Sequence, residues 1–244
     1  MIEQEDSSYL FYQAFLDELI RLLNLFPDVP SQILTFDENE IQGYNLPEGT
    51  VALTFDDGPT PITVDILDTL AENEVEASFF VLGSRLLNDD NQIDEAKVDI
   101  LSEILETGSD LALHSLTHSN LIGIEDRARL REELARPKEI VEDYLDYEVE
   151  YFRAPYGSRN NDVLAEVYNY YDYHILWNID SQDWASQFSE EIIKERVIRL
   201  VHLYNGGIVL FHDTNWKSAN ILADLINSLK ASQFEFKNIS SVLN

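Results

Sequence analysis

The strongest constraint on what this chain can fold into is an alternation of short apolar runs with longer stretches of helical spacing. The runs are "VALTF" from Val51, "ASFFVL" from Ala77, "LALH" from Leu111, "EYFR" from Glu150, "YHILWNI" from Tyr173, "GIVLF" from Gly207 and "FEFK" from Phe234. Between them, amphipathic patterns predict helices at about 61–72, 94–107, 125–146, 160–170, 189–204 and 218–230. Strand and helix in turn imply parallel strands joined by right-handed crossovers. Seven such strands in one chain predict a closed or nearly closed (β/α) barrel, with an open doubly wound sheet as the alternative. A chain of 244 residues, 45% of them hydrophobic, can bury the core that such a fold needs.

Residues 49–244 are assigned to the barrel, and residues 1–48 to an extra N-terminal helix and an acidic, irregular connecting segment packed on it. In "SSYLFYQAFLDELIRLLNLFP" the apolar positions Leu10, Phe11, Ala14, Phe15, Leu19, Leu22, Leu23 and Phe26 share helical spacing, with Ser at the start and Pro at the stop. Asp17 and Glu18 on its polar face argue against a helix lying on a membrane surface. In the connecting segment "TFDENE" echoes the later "TFDDGP" but lacks its Gly-Pro turn, and carries no site in this reading.

A barrel of this kind keeps its chemistry on one rim, just after its strands. The first run ends in Asp56-Asp57 and the third leads to His114 and His118, four residues apart. The fourth leads to Arg153 and Tyr156, the fifth to Asp180, Asp183 and Trp184, and the sixth contains Leu210 and ends at His212. Singly, each piece has an ordinary explanation: a solvated Asp-Asp-Gly-Pro turn, a surface histidine pair, a buried histidine satisfied by its neighbours. Together they bring three of the five histidines and a pair of adjacent carboxylates to one rim. The other two histidines, His174 in a strand and His202 on a helix, read as structural. Two neutral imidazoles and one carboxylate suit a divalent cation that keeps open positions for water and substrate. His114, His118 and one Asp of the pair supply that set, leaving the second Asp free to act as a base.

The segments "TFDDGP", "HSLTH", "RAPYG", "DSQDW" and "LFH", in that order from residue 54 to 212, resemble the five motifs of the polysaccharide deacetylase family, also called the NodB-homology domain or carbohydrate esterase family 4. The resemblance implies an α/β fold, a distorted (β/α)7 barrel. It also implies a metal-dependent hydrolase that removes N-acetyl groups from an N-acetylated sugar or polysaccharide and releases acetate. Asp57, His114 and His118 resemble the metal ligands, and the metal would be zinc, with cobalt, iron or nickel also suited. Asp56 resembles the general base, Arg153 the residue that positions it, His212 the general acid and Asp183 the carboxylate that keeps His212 charged. The backbone N–H of Tyr156 would stabilise the oxyanion, and Trp184 and Leu210 would pocket the acetyl methyl group. The cation and Arg153 are expected to lower the pKa of both carboxylates, and the Gly58-Pro59 turn to let both face one site. A non-sugar amide or cyclic imide, an O-acetyl ester, or an inactive carbohydrate-binding homologue are the alternative readings.

Charge narrows the partners. With 46 acidic against 16 basic side chains the formal net charge is −30, which opposes binding to nucleic acid or anionic membranes. The expected partner is an N-acetylated glycan or glycan precursor, and no feature of the sequence sets the oligomeric state. No run approaches the length of a membrane span. The opening "MIEQEDSSYL" lacks a basic secretory n-region, so the expectation is a cytoplasmic protein acting on a glycan precursor. With no cysteine, neither disulfides nor a thiolate zinc site are available. So large a charge repels itself at low ionic strength, which points to a halophilic source. Raising potassium chloride from about 0.1 M to about 2 M should therefore raise the thermal unfolding midpoint by roughly 5–10 °C. Circular dichroism melts would check this, and a midpoint that stays level or falls would contradict it.

Overall fold

The central strand shows in miniature how this sequence builds its fold. In the computed structural model, which describes residues 38–243, strand β2 (Thr50–Asp56) is buried along its whole length. Its side chains alternate between two cores, as the two-residue period of a strand requires. Val51, Leu53 and Phe55 face the outer core beneath the helices, whereas Ala52 packs in a smaller core inside the curl of the sheet. Asp56 shares the inner parity of Ala52. The same split holds in the neighbouring strands: Phe79, Leu111 and Val209 lie in the outer core, and Phe80, Ala112 and Ile208 in the inner one.

Nine parallel strands make one sheet among the described residues. They are β1 (Glu40–Ile41), β2, β3 (Ser78–Val81), β4 (Asp110–Leu113), β5 (Tyr151–Phe152), β6 (Tyr173–Ile175), β7 (Ile179–Asp180), β8 (Gly207–His212) and β9 (Glu235–Phe236). The order across the ladder is β1-β6-β5-β4-β3-β2-β8-β7, with β9 also pairing β2. The sheet curls into a half-barrel, the distorted form of the expected barrel, with its ladder open between β1 and β7. Helices α1 (Pro61–Glu72), α2 (Glu95–Glu106), α3 (Arg127–Leu145), α4 (Asn161–Val167), α5 (Glu190–Tyr204) and α6 (Trp216–Ala231) fall where their periodicity predicts, followed by a short α7 (Ile239–Leu243). Local chemistry starts them sharply. Thr60 caps α1 by accepting from the Ile62 N–H, with Pro61 at the first helical position, and Ser189 caps α5.

Two departures matter for the site. The run "YHILWNI" forms two strands rather than one, because the carbonyls of Ile175 and Leu176 leave the ladder to accept from the Arg153 side chain, after which the chain joins β8 as β7. The connecting segment is not wholly irregular: Glu40 and Ile41 add a strand beside β6, opposite His174 and Ile175. The predicted N-terminal helix lies outside the described residues. No described helix is long and apolar enough to cross a membrane.

The register places Asp56 of β2 opposite both Phe80 of β3 and His212 of β8. The ends of these strands, and the loops that follow them, therefore converge on one rim. Beneath that rim Phe55 stacks on Phe79 at 5.2 Å and on Phe211 at 5.8 Å, tying β3, β2 and β8 together on the outer face. Phe55→Ala should cost about 3–5 kcal/mol of stability, because the vacated volume is enclosed on every side. Urea unfolding would measure it, and a loss below about 1 kcal/mol would mean that the ladder is not a main element of the core.

Candidate active site

Asp56, the last residue of β2, is 2% exposed and bonded through Oδ1 to Arg153 Nη1 at 2.6 Å. Arg153 is itself fully buried, the largest side chain in that state among the described residues. Its Nη1 also donates to Thr54 Oγ1 at 2.9 Å, its Nε to the Ile175 carbonyl at 3.0 Å and its Nη2 to the Leu176 carbonyl at 3.3 Å. The guanidinium lies 3.9 Å from the centre of the Phe80 ring. Arg153 thus fixes Asp56, as the sequence reading assigned it. Without a cation, burial pushes the Asp56 carboxyl above the usual range, and the pull of Arg153 and His212 does not offset this; the expected fall, which counts on a cation beside Arg153, concerns the metal-bound site. That direction suits a base rather than a spectator anion.

Asp57 turns away from its neighbour by adopting a left-handed φ of 79°. Gly58 then lies so close to buried Asp213 that a Cβ would stand 1.9 Å from the Asp213 carboxylate, so glycine is required here for close approach. Asp213 Oδ2 accepts from the Thr63 hydroxyl at 2.5 Å, and burial pushes this carboxyl up to about 7. Asp57 Oδ1 is buried and has no hydrogen-bond partner. It faces His118 Nε2 at 3.4 Å and His114 Nε2 at 3.7 Å.

The two histidines reach it from the loop after β4. His114, 2% exposed, donates from Nδ1 to the Arg153 carbonyl at 2.7 Å, which leaves the Nε2 lone pair directed at Asp57, and burial pushes its pKa down to about 3. Ser115 and His118 both take left-handed backbone conformations, with φ of 72° and 61°. Glu133 of α3, buried and unremarkable in sequence, holds this loop by accepting from the Thr117 N–H at 2.9 Å and from the Thr117 hydroxyl. One ligand atom from each of Asp57, His114 and His118 lies within 4.8 Å of the other two. An orphaned carboxylate oxygen facing two imidazole Nε2 atoms fits a divalent cation, because ligands of one tetrahedral centre stand about 3.4 Å apart.

Across the pocket, His212 Nδ1 and Asp183 Oδ1 are 2.7 Å apart, and Asp183 Oδ2 accepts from the His212 N–H at 2.8 Å and from the Ser218 hydroxyl. Burial alone would favour a neutral imidazole. The hydrogen bond and charge of Asp183, with Asp56 and Asp57 beyond, reverse this and lift His212 to about 9. Asp183 is held below its ordinary range because these hydrogen bonds outweigh its burial.

A cavity of about 660 Å³ joins these groups. It is lined by Asp56, Asp57, His114, His118, His212, Leu210, Trp184 and Tyr156 from the predicted set, while Arg153 and Asp183 stand behind it as supports. Tyr156 takes a left-handed φ of 62° and sets its ring against His118 at 4.6 Å. Trp177, Asp180, Thr214 and Asn215 also line the cavity. The sequence reading put Asp180 on the rim without a role and left out Trp177, Thr214 and Asn215, Trp177 being hidden inside what looked like one apolar strand.

Such a pocket, with three residues able to hold a cation, an anchored buried carboxylate and an imidazole paired with a carboxylate on a parallel sheet, is that of a hydrolase. The sequence profile of the polysaccharide deacetylase family matches residues 43–176, more than half of the chain, and the protein belongs to that family. The match covers Asp56 through Tyr156 and ends before Asp183 and His212. The peptidoglycan-N-acetylglucosamine deacetylase PgdA of Listeria monocytogenes is 31% identical over 79% of this chain, which spans 38% of that protein's length. The chitooligosaccharide deacetylase of Sinorhizobium fredii is 32% identical over 67% of this chain and 72% of its own. Among solved structures, the Bc1960 peptidoglycan N-acetylglucosamine deacetylase superposes with a TM-score of 0.71 at 27% identity, covering 83% of this chain and 91% of that one.

The His212–Asp183 pair makes a pH prediction. A group whose folded pKa is raised contributes stability below its unfolded value, near 6.5, and loses it as pH rises through about 9. Turnover that needs charged His212 should fall over the same window. Asp183→Asn should move this basic limb down by about 2 pH units, towards the ordinary histidine value. A pH–rate profile whose basic limb does not move would overturn the pairing as the source of the charge.

Proposed function

We propose that this protein hydrolyses the N-acetyl amide of an N-acetylated glycan to acetate and a free amine, with a divalent cation, zinc foremost, held by Asp57, His114 and His118. The observation that carries the reading is the orphaned Asp57 Oδ1 facing two imidazole Nε2 atoms, in a pocket that buried Asp56 and the Asp183-paired His212 also line. When bound, the cation would act as a Lewis acid on the acetyl carbonyl and lower the pKa of water.

The protein's own groups account for the proton traffic. Asp56, anchored by Arg153 and raised in pKa by burial, accepts a proton from the attacking water as its oxygen bonds to the carbonyl carbon. The oxyanion that forms is stabilised by the Tyr156 backbone N–H. His212 Nε2 then gives its proton to the amide nitrogen, the C–N bond breaks and the amine departs. An amine is a poor leaving group unless protonated, whereas an alcohol from an ester depends less on an acid. The investment in a charged His212 therefore favours amide over O-acetyl ester.

Trp177, Trp184 and Tyr156 offer aromatic faces around the cavity on which a sugar ring can stack. Peptidoglycan and chitooligosaccharides, named in the two relatives, share N-acetylglucosamine, and its acetamide is the proposed reacting group.

Incubation with N-acetylglucosamine oligomers should release acetate, a chelator should abolish the release, and zinc or cobalt should restore it. Asp56→Asn should lower kcat by about 10²–10⁴ while metal content, read by elemental mass spectrometry, stays at the parent level. Unchanged turnover in that variant would remove Asp56 as the base. A metal-loaded parent protein with no activity on any acetamido sugar would sink the reading.

A further inference from the structure

Behind the Tyr156 loop lies a charged cluster that the mechanism above does not use. Glu40, 6% exposed on β1, forms a two-pronged ion pair with Arg159: Nε to Oε2 and Nη2 to Oε1, both at 2.7 Å. Gln42 Nε2 adds a third donor to Glu40 at 3.1 Å. The remaining Arg159 nitrogen, Nη1, donates to the Gly157 carbonyl at 3.3 Å. On the other side His174, fully buried on β6, accepts the Ala154 N–H at Nε2, 3.2 Å away, and its Nδ1 lies 3.4 Å from Glu40 Oε2. An Nε2 that accepts leaves the ring proton on Nδ1, the side facing Glu40.

The Arg159 arm from Glu40 ends on the Gly157 carbonyl, and His174, whose buried Nδ1 stands 3.4 Å from Glu40 Oε2 without a hydrogen-bond partner, holds the Ala154 N–H, so the two main-chain contacts bracket Tyr156. Between those anchors the backbone is held in consecutive left-handed conformations, with φ of 62° at Tyr156 and 61° at Gly157. A non-glycine residue held there costs on the order of 1 kcal/mol or more and persists only where the surroundings impose it. Tyr156, 65% exposed, has only the edge contact of its ring with His118 to set against this cost, and the main-chain contacts on either side add the rest.

We propose that Glu40, Arg159 and His174 form a brace that positions the Tyr156 loop over the Asp57–His114–His118 centre, so that a residue outside the family-matched stretch, Glu40, sets the geometry of the reaction. The catalytic consequence rests on the function proposed above; the brace itself does not. An N–H meant for a developing oxyanion is effective only within a few tenths of an ångström of its place, and a donor of this kind contributes about 10²–10³ in kcat. Burial favours a neutral His174, which is the state that keeps its acceptor for Ala154. The histidine read from sequence as merely structural thus becomes a positioning residue.

The test compares His174→Phe, which fills the space without an acceptor, His174→Gln, which can return a carbonyl oxygen near the Nε2 position, and Glu40→Gln. For His174→Phe and Glu40→Gln, kcat should fall by about 10–100-fold, with KM and zinc affinity within about twofold of the parent. His174→Gln should recover to within about threefold. Amide hydrogen exchange across residues 153–160 should rise about tenfold in the two impaired variants, while residues 114–118 keep the parent rate. Unchanged exchange at 153–160, a loss of zinc affinity that tracks the loss of kcat, or a His174→Gln variant as poor as His174→Phe would each overturn the brace. If the parent turns over no acetylated glycan, the proposed function fails, and the exchange measurement still decides whether the brace exists.

Discussion

A single guanidinium organises the inside of this barrel. Arg153 sits fully buried between strands, bonded to Asp56 and Thr54 on β2 and to two carbonyls at the end of β6. A charge so buried is tolerated only when its donors are met, and removing one partner of such a pair typically costs about 3–5 kcal/mol. The inner face of the curl is built to make room for it: Ala52, Thr54 and Ala112 are small, and Phe80 offers its ring face. The break between β6 and β7 follows from the same cause, since carbonyls turned towards Arg153 cannot also serve a continuous ladder. Its main-chain carbonyl meanwhile accepts from His114 Nδ1 and so fixes the tautomer of that ring. One residue links the barrel interior, the base and a metal-ready histidine.

Around that anchor, environment sorts carboxylates of one chemistry into different tasks. Asp56 is raised by burial, Asp183 is lowered by its hydrogen bonds, and His212 is lifted by Asp183 to about 9. The proposed base and acid thus line one pocket with their pKa values pushed in the directions that acid–base catalysis needs. Asp57 differs again, because its Oδ1 finds no hydrogen-bond donor and faces two imidazole Nε2 atoms. A carboxylate in that position calls for a cation.

The loops that carry these groups are strained. Asp57, Ser115, His118 and Tyr156 all hold left-handed backbone conformations in the loops that carry the cavity, four of the ten non-glycine residues described in that state. Each is held by contacts from elsewhere: Glu133 beneath the histidine loop, Asp213 against Gly58, and Glu40 with Arg159 and His174 behind Tyr156. Strain of this sort is sustained by surrounding structure rather than by local preference.

The sequence by itself determined the strand and helix order, because hydrophobic period and capping are local: helix α1 begins at Pro61 after Thr60, and the alternation in "VALTFD" already assigns Asp56 to the face of Ala52 and Thr54. It also made Asp56, Asp57, His114, His118, Arg153 and His212 legible, since reactive residue types placed after successive parallel strands must share a rim. Only tertiary structure decided the rest. Whether burial or Arg153 controls the Asp56 pKa depends on how much water the folded interior excludes, which no residue pattern encodes. Trp177 reached the cavity because Arg153 breaks a strand that periodicity reads as continuous. Glu133, Glu40 and Arg159 look like ordinary surface charges along the chain, and they acquire a purpose only when packing brings them from distant positions onto the backbone of the site loops.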